Sequence, residues 1–156
     1  MDGDSPSASK WAQIYPELGT GPLPFKPYTD PAYFELEKEK VFRKSWMQIC
    51  RADALSKPGD FIAKKLEIFK TSVLIVRGTD GKLRAFHNIC RHRGNKLVPG
   101  TGGCAKSFMC EFHGWVYNTE GKLLNITDEA NHFYTDKSTL ALPQISVDEW
   151  EGFVFI

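Results

Sequence analysis

From Trp46 to the last residue the chain runs in short apolar stretches: "WMQIC", "DFIAKKL", "SVLIVRG", "KLRAFHN", "SFMC", "WVYN", "KLL", "LPQISV" and "GFVFI". Each is too short for an ordinary helix and is bounded by Gly, Pro, Asp or Asn, with "PGD", "TDG" and "TEG" as turn signals between them. The pattern predicts an all-β sandwich or barrel built from hairpins. Upstream, "TDPAYFELEKEKVFRKSW" has Asp30 placed as an N-cap and Pro31 at the first helical position. Phe34, Val41 and Phe42 then recur on a helical period, which predicts a helix over about 31–44. Residues 1–29 mix Ser and Gly with Pro16, Pro22, Pro24 and Pro27, and are expected to form an arm without regular structure. The predicted order is therefore an arm at 1–29, a leading helix at 30–45, and a β domain at 46–156.

A chain of 156 residues with 42% apolar content has material for one hydrophobic core. Twenty basic residues stand against nineteen acidic ones, a formal charge of +1, so no field of one sign points to nucleic acid or an anionic membrane. The first residues, "MDGDSPSASKWAQIYPELG", lack the basic end and apolar core of a signal peptide, and no apolar run is long enough to span a bilayer. A cytoplasmic protein is expected. In that compartment its four cysteines point to metal binding or burial rather than disulfides.

Two of the four cysteines and two of the four histidines lie in two short pieces, "HNICRHRGNKL" and "MCEFHGW". As spacing this is C-x-H, seventeen residues, then C-x-x-H, from Cys90 and His92 to Cys110 and His113. Zinc knuckles usually pair Cys with Cys and His with His, because each grips one ion from one side. Mixed pairs suit two metal ions held between two loops. In a [2Fe–2S] centre with two cysteines on one iron and two histidines on the other, each loop donates one ligand to each iron. On that reading Cys90 and Cys110 take the inner iron, and His92 and His113 the outer. Neutral imidazoles in place of two thiolates raise the reduction potential into a range of about −150 to +300 mV. A zinc-binding structural module is the alternative.

"CRHRGN" and "CEFHGW" resemble the two cluster loops of Rieske iron–sulfur proteins. The Arg–Gly after His92 and the Gly–Trp after His113 resemble the alpha subunits of Rieske non-haem iron aromatic-ring-hydroxylating oxygenases. The likeness covers roughly 46–156, and the helix before it is similar too. Respiratory and photosynthetic Rieske proteins carry a bridged extra cysteine in each loop, where this chain has Asn95 and Phe112. They also have a sulfur-bonding Ser where this chain has Trp115. Fewer donors to sulfur place the expected potential at the low end of the range.

The resemblance implies a Rieske fold: an antiparallel β sandwich with a small cluster-binding subdomain, preceded by one helix. It implies a ferredoxin or flavin reductase as electron donor. It also implies a mononuclear Fe(II) in a separate catalytic domain, reached from the cluster of a neighbouring alpha subunit in a trimer, where an aromatic or other organic substrate is hydroxylated. That domain is absent from these residues, and "EWEGFVFI" stops in mid-strand by its apolar pattern, so we expect an N-terminal third that is not catalytic alone. A stand-alone Rieske ferredoxin is the other carrier of such loops.

Around the four donors, Arg93, Gly94, Trp115 and Tyr117 are candidates for supporting roles: Trp115 as a water-excluding core aromatic, Tyr117 as a hydroxyl donor to sulfur. Arg91, Arg93, Lys96 and Lys106 concentrate positive charge that could meet an acidic electron donor. Cys50 reads as a buried apolar residue and Cys104 as a loop residue without a partner. His87 reads as a strand-edge residue and His132 as a surface loop residue.

Overall fold

A computed structural model describes residues 10–19, 21–131 and 136–156. These fall into two compact units, one ending at Glu37 and one spanning Lys38–Ile156. His132 lies outside the described residues. Among the described residues no helix is long and apolar enough to cross a membrane.

The leading segment differs from the single helix expected. It contains α1 (Lys10–Ile14), α2 (Lys26–Thr29) and α3 (Pro31–Lys40), with a 3₁₀ turn at Pro16–Leu18. Pro16 and Pro27 each sit in the first turn of a helical segment, where the missing N–H is not needed; they start these segments instead of blocking them. α3 stops at Lys40 and passes into a 3₁₀ turn at Phe42–Lys44, so Val41 and Phe42 fall beyond it. No residue of α3 is buried, and Phe34 and Val41 are both exposed.

The second unit is wholly antiparallel. In chain order its strands are β1 (Gln48–Arg51), β2 (Asp60–Leu66), β3 (Thr71–Arg77), β4 (Leu83–His87), β5 (Gly102–Cys104), β6 (Ser107–Met109), β7 (Val116–Asn118), β8 (Leu123–Asn125), β9 (Gln144–Ile145), β10 (Asp148–Trp150) and β11 (Phe153–Phe155). They form a central sheet β5-β2-β3-β4-β9 and two smaller sheets, β1-β11-β10 and β6-β7-β8.

β3 explains how the sheets stack. Its run Val73–Val76 is buried throughout, as expected of a strand covered on both faces. Leu74 and Val76 join Phe86, Phe108, Tyr117 and Leu123 in one core, between the central sheet and β6-β7-β8. Val73 and Ile75 join Ile49, Ala85 and Val154 in another, against β1-β11-β10. The expected sandwich is therefore built in three layers. At the β3–β4 hairpin both guanidinium NH2 groups of Arg84 donate to Asp80 at 2.8 Å. Together with the Lys82 N–H, this fork holds the Asp80 carboxyl well below the usual carboxylate range.

Candidate metal centre

The two Cys/His pieces become two loops of one design. The first leaves β4 and the second joins β6 to β7. In the first, the Cys90 N–H donates to the Asn95 carbonyl at 2.8 Å, and the Gly94 N–H returns to the Cys90 carbonyl at 3.0 Å. In the second, the Cys110 N–H donates to the Trp115 carbonyl and the Gly114 N–H to the Cys110 carbonyl, each at 2.8 Å. Each loop thus turns on a glycine four residues after its cysteine. Gly94 and Gly114 have φ of 73° and 70°, a region glycine reaches without strain. A side chain at 114 would also collide with the Thr127 hydroxyl.

This shared turn sorts the donors by kind. Cys90 and Cys110 are buried at 2% and 1% exposure, as free thiols near enough for each to influence the ionisation of the other. The His92 and His113 rings lie 4.4 Å apart, half-buried on the outer side, with Nδ1 of His92 itself buried. Sulfur meets sulfur and imidazole meets imidazole, although each loop supplies one of each. Among the described residues no three His, Cys, Asp or Glu side chains gather round a single point.

Sulfur charge is anticipated by the backbone. Burial pushes the Cys110 thiol up, but the N–H groups of Phe112 and His113, the Cys90 side chain and the Asn95 amide outweigh it and bring the thiol below its ordinary value. For Cys90, burial keeps the thiol raised against donors from Tyr117 and the His92 N–H. Tyr117 is fully buried; its hydroxyl accepts the Arg91 N–H at 3.1 Å and lies 3.5 Å from Sγ of Cys90. Burial and the neighbouring sulfur push the phenol's pKa up, so it keeps its proton. A Cys90 deprotonated by holding a metal could only accept, and Tyr117 would then be the donor.

Aromatic rings close the site. Trp115, 4% exposed, stacks on His92 with centroids 4.7 Å apart and planes 11° from parallel. Phe112 leans on His113 at 3.9 Å and is itself largely exposed. Arg93 is exposed, and none of the hydrogen bonds that fix the four donors comes from it. Arg91, Lys96 and Lys106 are exposed as well.

The remaining cysteines and His87 stand apart. Cys50 is half-buried against the β1-β11-β10 core, and burial pushes its thiol up. Cys104 corrects the loop expectation: it is the last residue of β5, exposed. His87 ends β4 with its side chain exposed.

The roles of two asparagines were missed by sequence reasoning. Asn88, buried, donates to the Ser72 hydroxyl at 3.1 Å and the Val98 carbonyl at 2.9 Å, and accepts the Val98 N–H at 2.9 Å, clasping the base of the first loop. Asn95 reaches across to Cys110. The only signal was an Asn placed before and after C-x-H, which reads as ordinary turn chemistry.

Residues 45–145 match the family model of the Rieske [2Fe-2S] domain. The chain belongs to that family. The Rieske chain is 37% identical over 134 residues to the carnitine monooxygenase oxygenase subunit of Escherichia coli (strain K12), covering 86% of this chain and 35% of that subunit. It is 36% identical over 129 residues to the chlorobenzene dioxygenase subunit alpha of Cupriavidus sp. (strain PS12), covering 82% of this chain and 28% of that one. Among solved structures, a quaternary ammonium Rieske monooxygenase superposes with a TM-score of 0.78 at 35% identity, over 85% of this chain and 36% of that one. Naphthalene 1,2-dioxygenase does so at 0.76 and 32%, over 82% and 29%. The Rieske chain thus spans about a third of the length of these relatives. Its donor set fits the [2Fe–2S] group that the family implies: two adjacent buried thiols with N–H donors aimed at them, and two adjacent imidazoles.

Proposed function

We propose that this chain is the electron-transfer module of a terminal oxygenase, with Cys90 and Cys110 holding the inner iron of a [2Fe–2S] cluster and His92 and His113 the outer. The reading rests on one observation, the sorting of sulfur with sulfur and imidazole with imidazole by two loops that each carry both. The bound cluster supplies reversible one-electron transfer. The protein's own part is electrostatic and protective. Backbone N–H groups of His92, Phe112 and His113 and the Tyr117 hydroxyl offset thiolate charge. Trp115 keeps water off one face of His92. The half-buried imidazoles form the edge that a partner can approach.

In the intact protein we place a mononuclear Fe(II) in a catalytic domain outside these residues, where an organic substrate, aromatic or otherwise, is hydroxylated. The relatives that support this are oxygenase subunits roughly three times as long, and one of them is described in terms of inter-subunit electron transfer. By the same reasoning the donor is a ferredoxin or flavin reductase, the assembly a trimer, the compartment cytoplasmic, and the functional divisions those expected at 1–29, 30–45 and 46–156. Anaerobic titration with dithionite tests the module directly. Reconstituted chain should take up one electron per polypeptide, return it to a soluble oxidant, and hydroxylate no aromatic when given Fe(II) and oxygen. No uptake, or product formed by this chain, would overturn the proposal.

A further inference from the structure

Asn95 is not one of the four donors, yet it links both loops. Its Nδ2 lies 3.9 Å from Sγ of Cys110 in the opposite loop and 3.0 Å from its neighbour's carbonyl, that of Lys96. Its backbone carbonyl accepts the N–H of Cys90 at 2.8 Å. With Cys110 as a ligating thiolate, both groups facing that end of the amide are acceptors, a sulfur and a carbonyl oxygen. Turned over, Oδ1 would confront two acceptors, so the network selects the NH2 end. One N–H is anchored on the Lys96 carbonyl, and this aims the other at the sulfur.

We propose that Asn95 is a positioning residue that ties the two loops together through Cys110 and raises the reduction potential of the centre they hold. The inference rests on the ligand assignment proposed above. A donor to a ligand sulfur stabilises whichever state puts more negative charge on that sulfur, which is the reduced one. Apart from the Cys90 side chain, the other groups acting on Cys110 are backbone N–H groups of its own loop, which a substitution does not delete. The Asn95 amide comes from the other loop and is a side chain. It can be removed alone, and its loss changes both the charge balance at sulfur and the tie between loops.

The test uses reconstituted full chain in four forms: wild type, Asn95→Leu, Asn95→Asp and Lys96→Ala. Leucine keeps approximate volume without the N–H; aspartate keeps the shape but turns an acceptor toward the sulfur; Lys96→Ala removes a neighbouring charge and leaves the anchoring carbonyl. Voltammetry reads the midpoint potential, and resonance Raman reads the iron–cysteine stretching bands. We expect a downward shift in potential with Asn95→Leu, a larger one with Asn95→Asp, altered stretching bands in both, and both readouts close to wild type with Lys96→Ala. If either Asn95 variant fails to retain the cluster, Asn95→Ala gives the same readout with less steric change. Potentials and bands that do not move in the loaded Asn95 variants would overturn the inference while leaving the ligand assignment standing. A wild-type chain that binds no iron–sulfur cluster would instead defeat the assignment itself.

Discussion

Cys110→Ala is expected to give a folded, colourless chain. Cys110 is 1% exposed and lies beside Cys90, with N–H donors from Phe112 and His113 directed at its sulfur. Residues that only orient a ligand already change metal affinity by about 10- to 100-fold, so deleting a ligand outright should leave no cluster after gel filtration. The loop itself should persist, because its turn is closed by backbone bonds from Cys110 to Trp115 and from Gly114 to Cys110. Cys104→Ala is the matched control. That cysteine is exposed at the end of β5, and its removal should leave iron, sulfide and the visible spectrum unchanged. Iron and acid-labile sulfide analysis with circular dichroism separates lost binding from lost folding. Equal retention in both variants would mean that Cys110 is not a ligand.

The largest effect on stability is expected at Gly121, in the β7–β8 hairpin. Its φ is 81°, and a Cβ added there would lie 2.5 Å from Cε1 and 2.8 Å from Cζ of Phe86. Phe86 is 1% exposed and belongs to the core that backs the metal loops, so its ring has little room to withdraw. The left-handed backbone costs an alanine roughly 1–2 kcal/mol and overpacking a further 1–3 kcal/mol, so Gly121→Ala should destabilise by about 2–5 kcal/mol. In a domain of this size that is a fall in Tm on the order of 5–15 °C. Gly81, in the β3–β4 turn, supplies the comparison. Its φ of 77° is similar, but nothing lies within 4 Å of its added Cβ. Gly81→Ala should therefore show only the backbone part. Thermal unfolding of the two variants with similar falls would mean that Phe86 yields and that this core is looser than its burial implies.

Much of the β domain was legible because strand burial leaves a mark in residue type. All nine apolar runs overlap a strand, and "SVLIVRG" lacks polar alternation, as its central place requires. β5 and β10 left no such mark. Both consist of exposed residues, "GGC" and "DEW", held by backbone pairing to β2 and β11 rather than by side-chain burial. The start of the leading helix at Pro31 was legible, but the two short helices before it and its stop at Lys40 were not. Phe34, Val41 and Phe42 have helical spacing, but no residue of α3 is buried, and Val41 and Phe42 fall beyond its end.

At the site, residue types and spacing were enough to pick the donors as candidates. The sorting that makes them a centre was not written in spacing alone. It depends on two loops folding to the same hydrogen-bond pattern and facing each other, a relation set by the packing of the central sheet on β6-β7-β8. Asn88 and Asn95 were invisible for a similar reason, because their partners Ser72, Val98 and Cys110 are identified only in three dimensions.

The central claim, two thiolates on one iron and two imidazoles on the other, is tested most directly by pulsed EPR of the reduced protein labelled with ¹⁵N-histidine. Wild type should show two strongly coupled ¹⁵N nuclei. One should remain when either His92 or His113 is replaced by cysteine, and neither should be lost when His87 is replaced. A paramagnetic cluster without strongly coupled histidine nitrogens, or a purified chain carrying stoichiometric zinc and no iron, would contradict it.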